Sequence, residues 1–324
     1  MAIEIRTINS LSTKQLKKYI QFGTDLYKNN NCFVPPLVFD EIATLSPKKN
    51  PAFEICQAQS FMAYRDNKPV GRITGIINNV VNERTGEKTV RFGFADWIDD
   101  DEVADALFNA VAQWGKQHGM THIVGPMGFS DMDHEGMLVE GFDRIGTMAT
   151  IYNYPYYPVH MERMGFEKSA DWVEMKIYIP DAIPEKHKRI SDIIQRKYNL
   201  RVRKLTNKKD VIKSGVAHDI FRLINDSYAP LFGFSRMTEA QIDQYVNVYI
   251  PVLDLRMVTL VETEEGEIVA VGISMPSLSE ALQKAKGKIF PFGWYHLLKA
   301  LKWNRPKVLD LLLVAVRPDY QSKG

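Results

Sequence analysis

Cysteine is nearly missing: Cys32 and Cys56 are the only two in the sequence. They form no Cys-x-x-Cys knuckle and supply no disulfide framework, which fits a reducing compartment. No uninterrupted apolar run approaches the roughly 18 residues that would cross a bilayer. The opening residues, MAIEIRTINS, hold no apolar core of signal-peptide length. The expectation is a cytoplasmic chain without a membrane span. Neither sign of charge prevails: 41 Lys and Arg against 39 Asp and Glu give a formal charge of +2. There is no global field for nucleic acid, which is not an expected partner. What is present is a hydrophobic content of 45% in 324 residues, enough for one large core or, as expected here, two domains of about 150 residues each.

The stretch that organises the chain is its last. Residues 308–316, VLDLLLVAV, form a nearly unbroken apolar run of strand length, expected as a buried central strand. Arg317 and Pro318 stop the ladder, because proline lacks an amide donor, and Asp-Tyr-Gln-Ser-Lys-Gly follows as a polar turn. A strand that empties into such a turn ahead of a helix lines up backbone amides that bind phosphate. The plainer reading is an ordinary strand-to-helix turn.

Gln321, Ser322, Lys323 and Gly324 match the first four positions of Q/R-x-x-G-x-G/A, and here the sequence resembles the GNAT superfamily of acyl-CoA-dependent N-acyltransferases. The last two positions would lie past Gly324, so the cofactor cradle is expected to be incomplete in this chain. The resemblance implies acetyl-CoA or another acyl-CoA as substrate, an amine on a small molecule or peptide as acceptor, and no metal. It implies that backbone groups of Val314 and Val316 pair with the pantetheine arm and that Gln321, Ser322, Lys323 and Gly324 bind the phosphates. Acyl transfer to an amine needs a base for the amine, a donor for the thioester oxygen and a proton for the departing thiolate. Asp310, eleven residues before Gln321, has the spacing of the glutamate base in the histone-acetylating branch; Glu262 on the neighbouring strand is a second candidate. An N-acetyltransferase is the leading expectation. Its alternatives are a GNAT-like binding or scaffold protein without catalysis, and an aminoacyl transferase of the Fem type.

The order of elements repeats within the chain. A strand at residues 3–7 and a helix capped by Ser10 or Ser12 open it. Residues 33–53 contain four prolines and are expected to be a surface loop. Strands at 59–65 and 69–78 flank an Asp66-Asn67-Lys68 turn. A third strand runs over 89–97, and Asp99, Asp100, Asp101 and Glu102 crowd the start of a helix whose buried face carries Val103, Leu107, Val111 and Trp114. These carboxylates read as caps, and where the acyl-CoA loop would stand they would repel a pyrophosphate. After a strand at 121–124, the run Ser130, Asp131, Asp133, His134, Glu135 could suit a divalent cation, but the spacing matches no calcium or zinc loop. Tyr152, Tyr154, Tyr156 and Tyr157 read as core. The tail of this half resembles the closing unit of a GNAT domain, with Met164, Gly165 and Phe166 ending a helix and a strand reaching Ile179.

Residues 1–180 thus read as a GNAT-like domain lacking the acyl-CoA motif, and 181–324 as a second one ending at the acyl-CoA loop. The expected fold class is mixed α/β, two tandem GNAT-like domains. The second opens with a helix turning Ile190, Ile193 and Ile194 inward, beside a basic run from Lys186 to Lys204 read as a solvated face. Strands near 200–204, 256–262 and 268–275 follow, with helical inserts at 277–286 and 291–303 before the final strand.

Overall fold

The computed structural model describes residues 2–303 and 305–323. They group into two compact units. The first combines the chain up to Ala170 with Gly233–Thr238 and Ser277–Pro306; the second holds Asp171–Phe232, Glu239–Pro276 and the chain from Lys307.

The first unit is built on a sheet of β1 (Glu4–Ile8), β2 (Cys56–Arg65), β3 (Lys68–Asn78), β4 (Thr89–Trp97) and β5 (His122–Val124), in that spatial order. Neighbours are antiparallel except β4 and β5, which run parallel. Asp66 and Asn67 have φ of 52° and 59°, the left-handed pair that a two-residue hairpin loop requires. Alternation along β2 sends Phe61 and Ala63 to one face and Met62 and Tyr64 to the other. Against the first face lies α4 (Asp101–Gln117), which buries Val103, Leu107 and Val111; against the second lies α1 (Thr13–Leu26), with Leu16, Tyr19 and Ile20. Asp100 caps α4 by accepting from Val103 N. Its carboxyl is held below the usual range mainly by the hydrogen bond from Arg65, 2.7 Å away. Asp101 and Asp105 pair with Arg163 of α5 (Tyr156–Arg163), so the acidic helix start is spent on capping and surface ion pairs.

A buried polar spine threads this unit. Arg72 lies 2.7 Å from Glu41 and 2.7 Å from Asp96. The Tyr27 hydroxyl donates to Asp96 at 3.0 Å and lies 2.8 Å from that of Tyr157. Gly23 is required here, since a Cβ on it would stand 2.6 Å from both Arg72 Nη2 and Asp96 Oδ2. Tyr157 is buried and stacks on Trp97, so this part of the tyrosine run is core.

The stretch expected as a surface loop contains a helix, α2 (Val38–Thr44), which fits between Pro36 and Pro47 because no proline interrupts its seven residues. A further short helix, α3 (Asn79–Thr85), follows β3. Residues 167–180 form no helix or strand, contrary to the closing strand expected there. The apolar alternation of that stretch is genuine, but a ladder needs a partner, and among the described residues no strand pairs with it.

The second unit contains α6 (Glu185–Lys197), β6 (Leu200–Lys204), α7 (Lys208–Lys213), α8 (Val216–Tyr228), α9 (Glu239–Tyr249), β7 (Val258–Thr263) and β8 (Ile268–Pro276). Between β8 and the last strand, α10 (Ser279–Ala285) and α11 (Gly293–Leu298) belong to the first unit. α10 is tied in by Ser279 Oγ donating to Gly146 O at 2.8 Å and Gln283 Nε2 to Asn31 O at 2.8 Å. The final strand, β9 (Leu309–Val316), completes a wholly antiparallel sheet ordered β6-β7-β8-β9.

Two expectations are corrected in this unit. β9 is an edge strand among the described residues, paired with β8 alone, and Leu311 and Val314 are exposed. An apolar run signals burial without saying how many neighbours a strand has. In α6, Ile190 and Ile193 are exposed, and only Ile194 and Gln195 are half-buried. The fold is mixed α/β, two sheets flanked by helices.

Candidate functional site

The free edge of β9 follows from its register. Arg317 N donates to Val269 O at 2.8 Å, and Ala270 faces Val316, Val271 faces Ala315 and Gly272 faces Val314. Hydrogen-bonded and non-hydrogen-bonded pairs alternate along an antiparallel ladder, so the N–H and C=O groups of Val314 and Val316 point away from β8. Their carbonyls are engaged from the C-terminal end of α8. The Tyr228 hydroxyl donates to Val314 O at 3.0 Å, and Ser227 Oγ donates to Val316 O at 2.9 Å. Gln321 Nε2 reaches back to Val316 O at 3.0 Å. The two amide N–H groups are directed to the open side.

The turn after β9 is wound rather than open. Pro318–Lys323 is a short 3-10 helix, with Tyr320 N donating to Arg317 O at 2.8 Å. Arg317 is clamped between Asp319 at 2.7 Å and Glu267 at 3.0 Å. Lys323 Nζ sits 3.7 Å from the Tyr320 ring centre, a cation–π contact. Gln321 and Ser322 are exposed, and Gly324 lies outside the described residues.

The two candidate bases are not brought together. Asp310 is opposite Met275 and Glu262 opposite Ile268, seven residues of β8 apart, about 23 Å at strand rise. Glu262 is buried, and its carboxylate meets Arg201 Nε at 2.6 Å and Arg203 Nη1 at 3.2 Å. Both its oxygens are taken by β6, which makes it an ion-pair anchor between strands. Asp310 is half-buried on β9.

A second polar constellation lies in the first unit, in the loop after β5. Asp133 accepts from Phe129 N at 2.7 Å and Ser130 N at 3.2 Å. Asp131 accepts from Ser235 N at 3.2 Å. Arg91 donates to Gly128 O at 3.3 Å and Gly233 O at 2.7 Å. Burial pushes Asp131 and Asp133 up to about 6. It pushes Glu135 up to about 8, with the Asp131 charge adding to the effect, and among the described residues Glu135 Oε1 is buried without a hydrogen-bond partner. A carboxyl raised this far can exchange protons near neutral pH. His134 Nε2 lies 2.8 Å from Met148 O, which can only accept, so that nitrogen carries the proton. Among the described residues no three His, Cys, Asp or Glu side chains are grouped to hold a metal. Sequence reasoning singled out the acids of this loop but missed Arg91, whose partners arrive from 37 and 142 residues away. It also missed Ser227 and Tyr228, two hydroxyls at a helix end with no local motif.

No family model matches the sequence. The chain is similar to Bacterial ceramide synthase from Caulobacter vibrioides, 29% identical over 310 residues, covering 95% of this chain and 79% of that protein. It is similar to Protein YghO from Escherichia coli, 28% identical over 312 residues, covering 96% and 78%. Among solved structures, a tandem GNAT protein from the clavulanic acid biosynthesis pathway, without acetyl-CoA, is similar with a TM-score of 0.48 and 11% identity, covering 99% of this chain and 81% of that one.

Proposed function

We propose that this chain is an acyl-CoA-dependent N-acyltransferase of the GNAT kind whose acceptor is a long-chain primary amine. The observation that carries the reading is the likeness to the bacterial ceramide synthase along 95% of the chain. A ceramide is a long-chain amino alcohol bearing a fatty acyl group on nitrogen, so making one from a thioester is acyl transfer to an amine. That favours a fatty acyl donor over acetyl.

The edge of β9 supports this reading. The outward N–H groups of Val314 and Val316 match the amide carbonyls of a pantetheine arm laid along the strand. Gln321, Ser322, Lys323 and Gly324 are proposed for the phosphates, with Lys323 supplying the cation. An arm running back from that turn carries its thioester toward the start of β9, where Asp310 is proposed as the base. The neutral amine attacks the thioester carbon, the nitrogen gives up a proton to Asp310, the C–S bond breaks, and the thiolate leaves to be protonated.

The test is release of free thiol from a long-chain acyl-CoA in the presence of sphinganine, with the amide identified by mass spectrometry. Turnover is expected for the native chain and a loss of about 100-fold or more for Asp310→Asn. Acyl-CoA binding without turnover would favour the scaffold alternative. If the native chain shows no acyl-CoA binding by calorimetry and releases no thiol, the proposal is overturned.

A further inference from the structure

The second unit exposes a basic and apolar surface that acyl transfer does not use. The stretch leading into α6 carries Trp172, Val173, Met175, Ile177, Tyr178 and Ile179, each between 53% and 80% exposed, and the Trp172 ring meets exposed Phe232 at 6.0 Å. The chain then enters α6, where Ile190 and Ile193 are 41% and 53% exposed. At helical spacing these two isoleucines share a face with Lys186, Arg189, Arg196 and Lys197, and Asp192 borders that face, three residues after Arg189 and four before Arg196. Five cations stand against two acids on this helix, and one of the acids, Glu185, is paired with Lys188 at 2.8 Å.

We propose that α6 and the exposed stretch before it dock on an anionic lipid surface. Apolar side chains ringed by long cationic ones can enter the headgroup region while the ammonium and guanidinium groups stay with the phosphates. Tyrosine and tryptophan have an apolar body and a polar tip, which suits the same depth. Nucleic acid is a poorer match, because exposed isoleucines gain nothing from a phosphate backbone. A second copy is also a poorer match, since a two-fold contact would set this cationic face against itself. The surface deepens the proposed reaction, on which it rests only for its purpose: a long-chain amine resides in a membrane, and docking brings the transferase to it.

The test is flotation of the full chain with phosphatidylglycerol–phosphatidylcholine vesicles against pure phosphatidylcholine, with no acyl-CoA and no amine. Binding is expected only to the anionic vesicles and should weaken with salt. Lys186→Gln and Arg196→Gln should each weaken it about fivefold, and Ile190→Glu with Ile193→Glu should abolish it while circular dichroism stays unchanged. No flotation of the native chain, equal binding to both vesicles, or unchanged flotation of the isoleucine variant would overturn the proposal. So would a native dimer that Ile193→Glu dissociates, which assigns the surface to a protein contact. The assay contains no substrate, so its failure leaves acyl transfer standing, and absent transfer leaves vesicle binding standing.

Discussion

Glu135→Gln is expected to flatten the pH dependence of the first unit between pH 6 and 8. Burial raises the folded carboxyl from 4.5 to about 8, so the folded unit holds a proton that the unfolded chain gives up. The stabilisation from that proton is complete below the unfolded value and is lost as the pH rises toward 8. One proton taken up on folding corresponds to about 1.4 kcal/mol per pH unit. Asp131 and Asp133, raised to about 6, add to the slope at lower pH and have largely given up their protons above it. From pH 6 to 7.5 the native unit should therefore lose about 2 kcal/mol, on the order of 1 M in urea midpoint. Cys56 reports on this unit: it is 3% exposed, and burial pushes its thiol up to about 12. Pulsed alkylation after equilibration in urea, read by mass spectrometry on the Cys56 peptide, gives the midpoint at each pH. A variant that keeps the full native slope would refute the assignment of the proton to Glu135.

Asp100→Ala should cost about 1 kcal/mol from the lost cap of α4, read as a lower thermal midpoint; an unchanged midpoint would argue against capping. Arg72→Met leaves Glu41 and Asp96 buried without their cation and should cost about 3–5 kcal/mol, measurable by urea unfolding. Ser227→Ala removes the hydrogen bond to Val316 O and should cost about 1 kcal/mol, with faster amide exchange confined to β9 and α8. Exchange unchanged in β9 would show that α8 does not hold that edge.

Local signals were legible where one chain segment settles the outcome. The bounds of β4, the buried stripe of α4 and the Asp66-Asn67 turn follow from periodicity, capping and backbone preference in a few consecutive residues. The position of β9 at an edge does not, because the apolar sequence of a strand records its preference for burial and not its neighbours. For the same reason, the alternation at residues 172–179 predicts a strand that no partner completes among the described residues. Val314 and Val316 are proposed from motif spacing, and the register alone accounts for their backbone groups pointing away from β8. Ser227 and Tyr228 meet them across 89 and 86 residues, a distance that no local pattern encodes. The ion pairs of Glu262 with Arg201 and Arg203, two cations on another strand, are not encoded by any local pattern. The burial that raises Glu135 is likewise a property of the folded loop.

The discontinuity of the first unit bears on how the protein is made. Arg91 is buried against a carbonyl, Gly233 O, that follows 142 residues later in the chain. At about 5–20 residues per second, a ribosome needs on the order of 7–30 s to deliver it. The helices α10 and α11, which belong to the same unit, come later still. During that interval the β4 guanidinium has only part of its hydrogen-bonding complement, and the sheet around it waits for material from the far half of the chain. The nascent first unit should therefore be a client for chaperones until translation has passed Pro306, and synonymous changes that slow translation between codons 91 and 306 should lower the yield of folded protein.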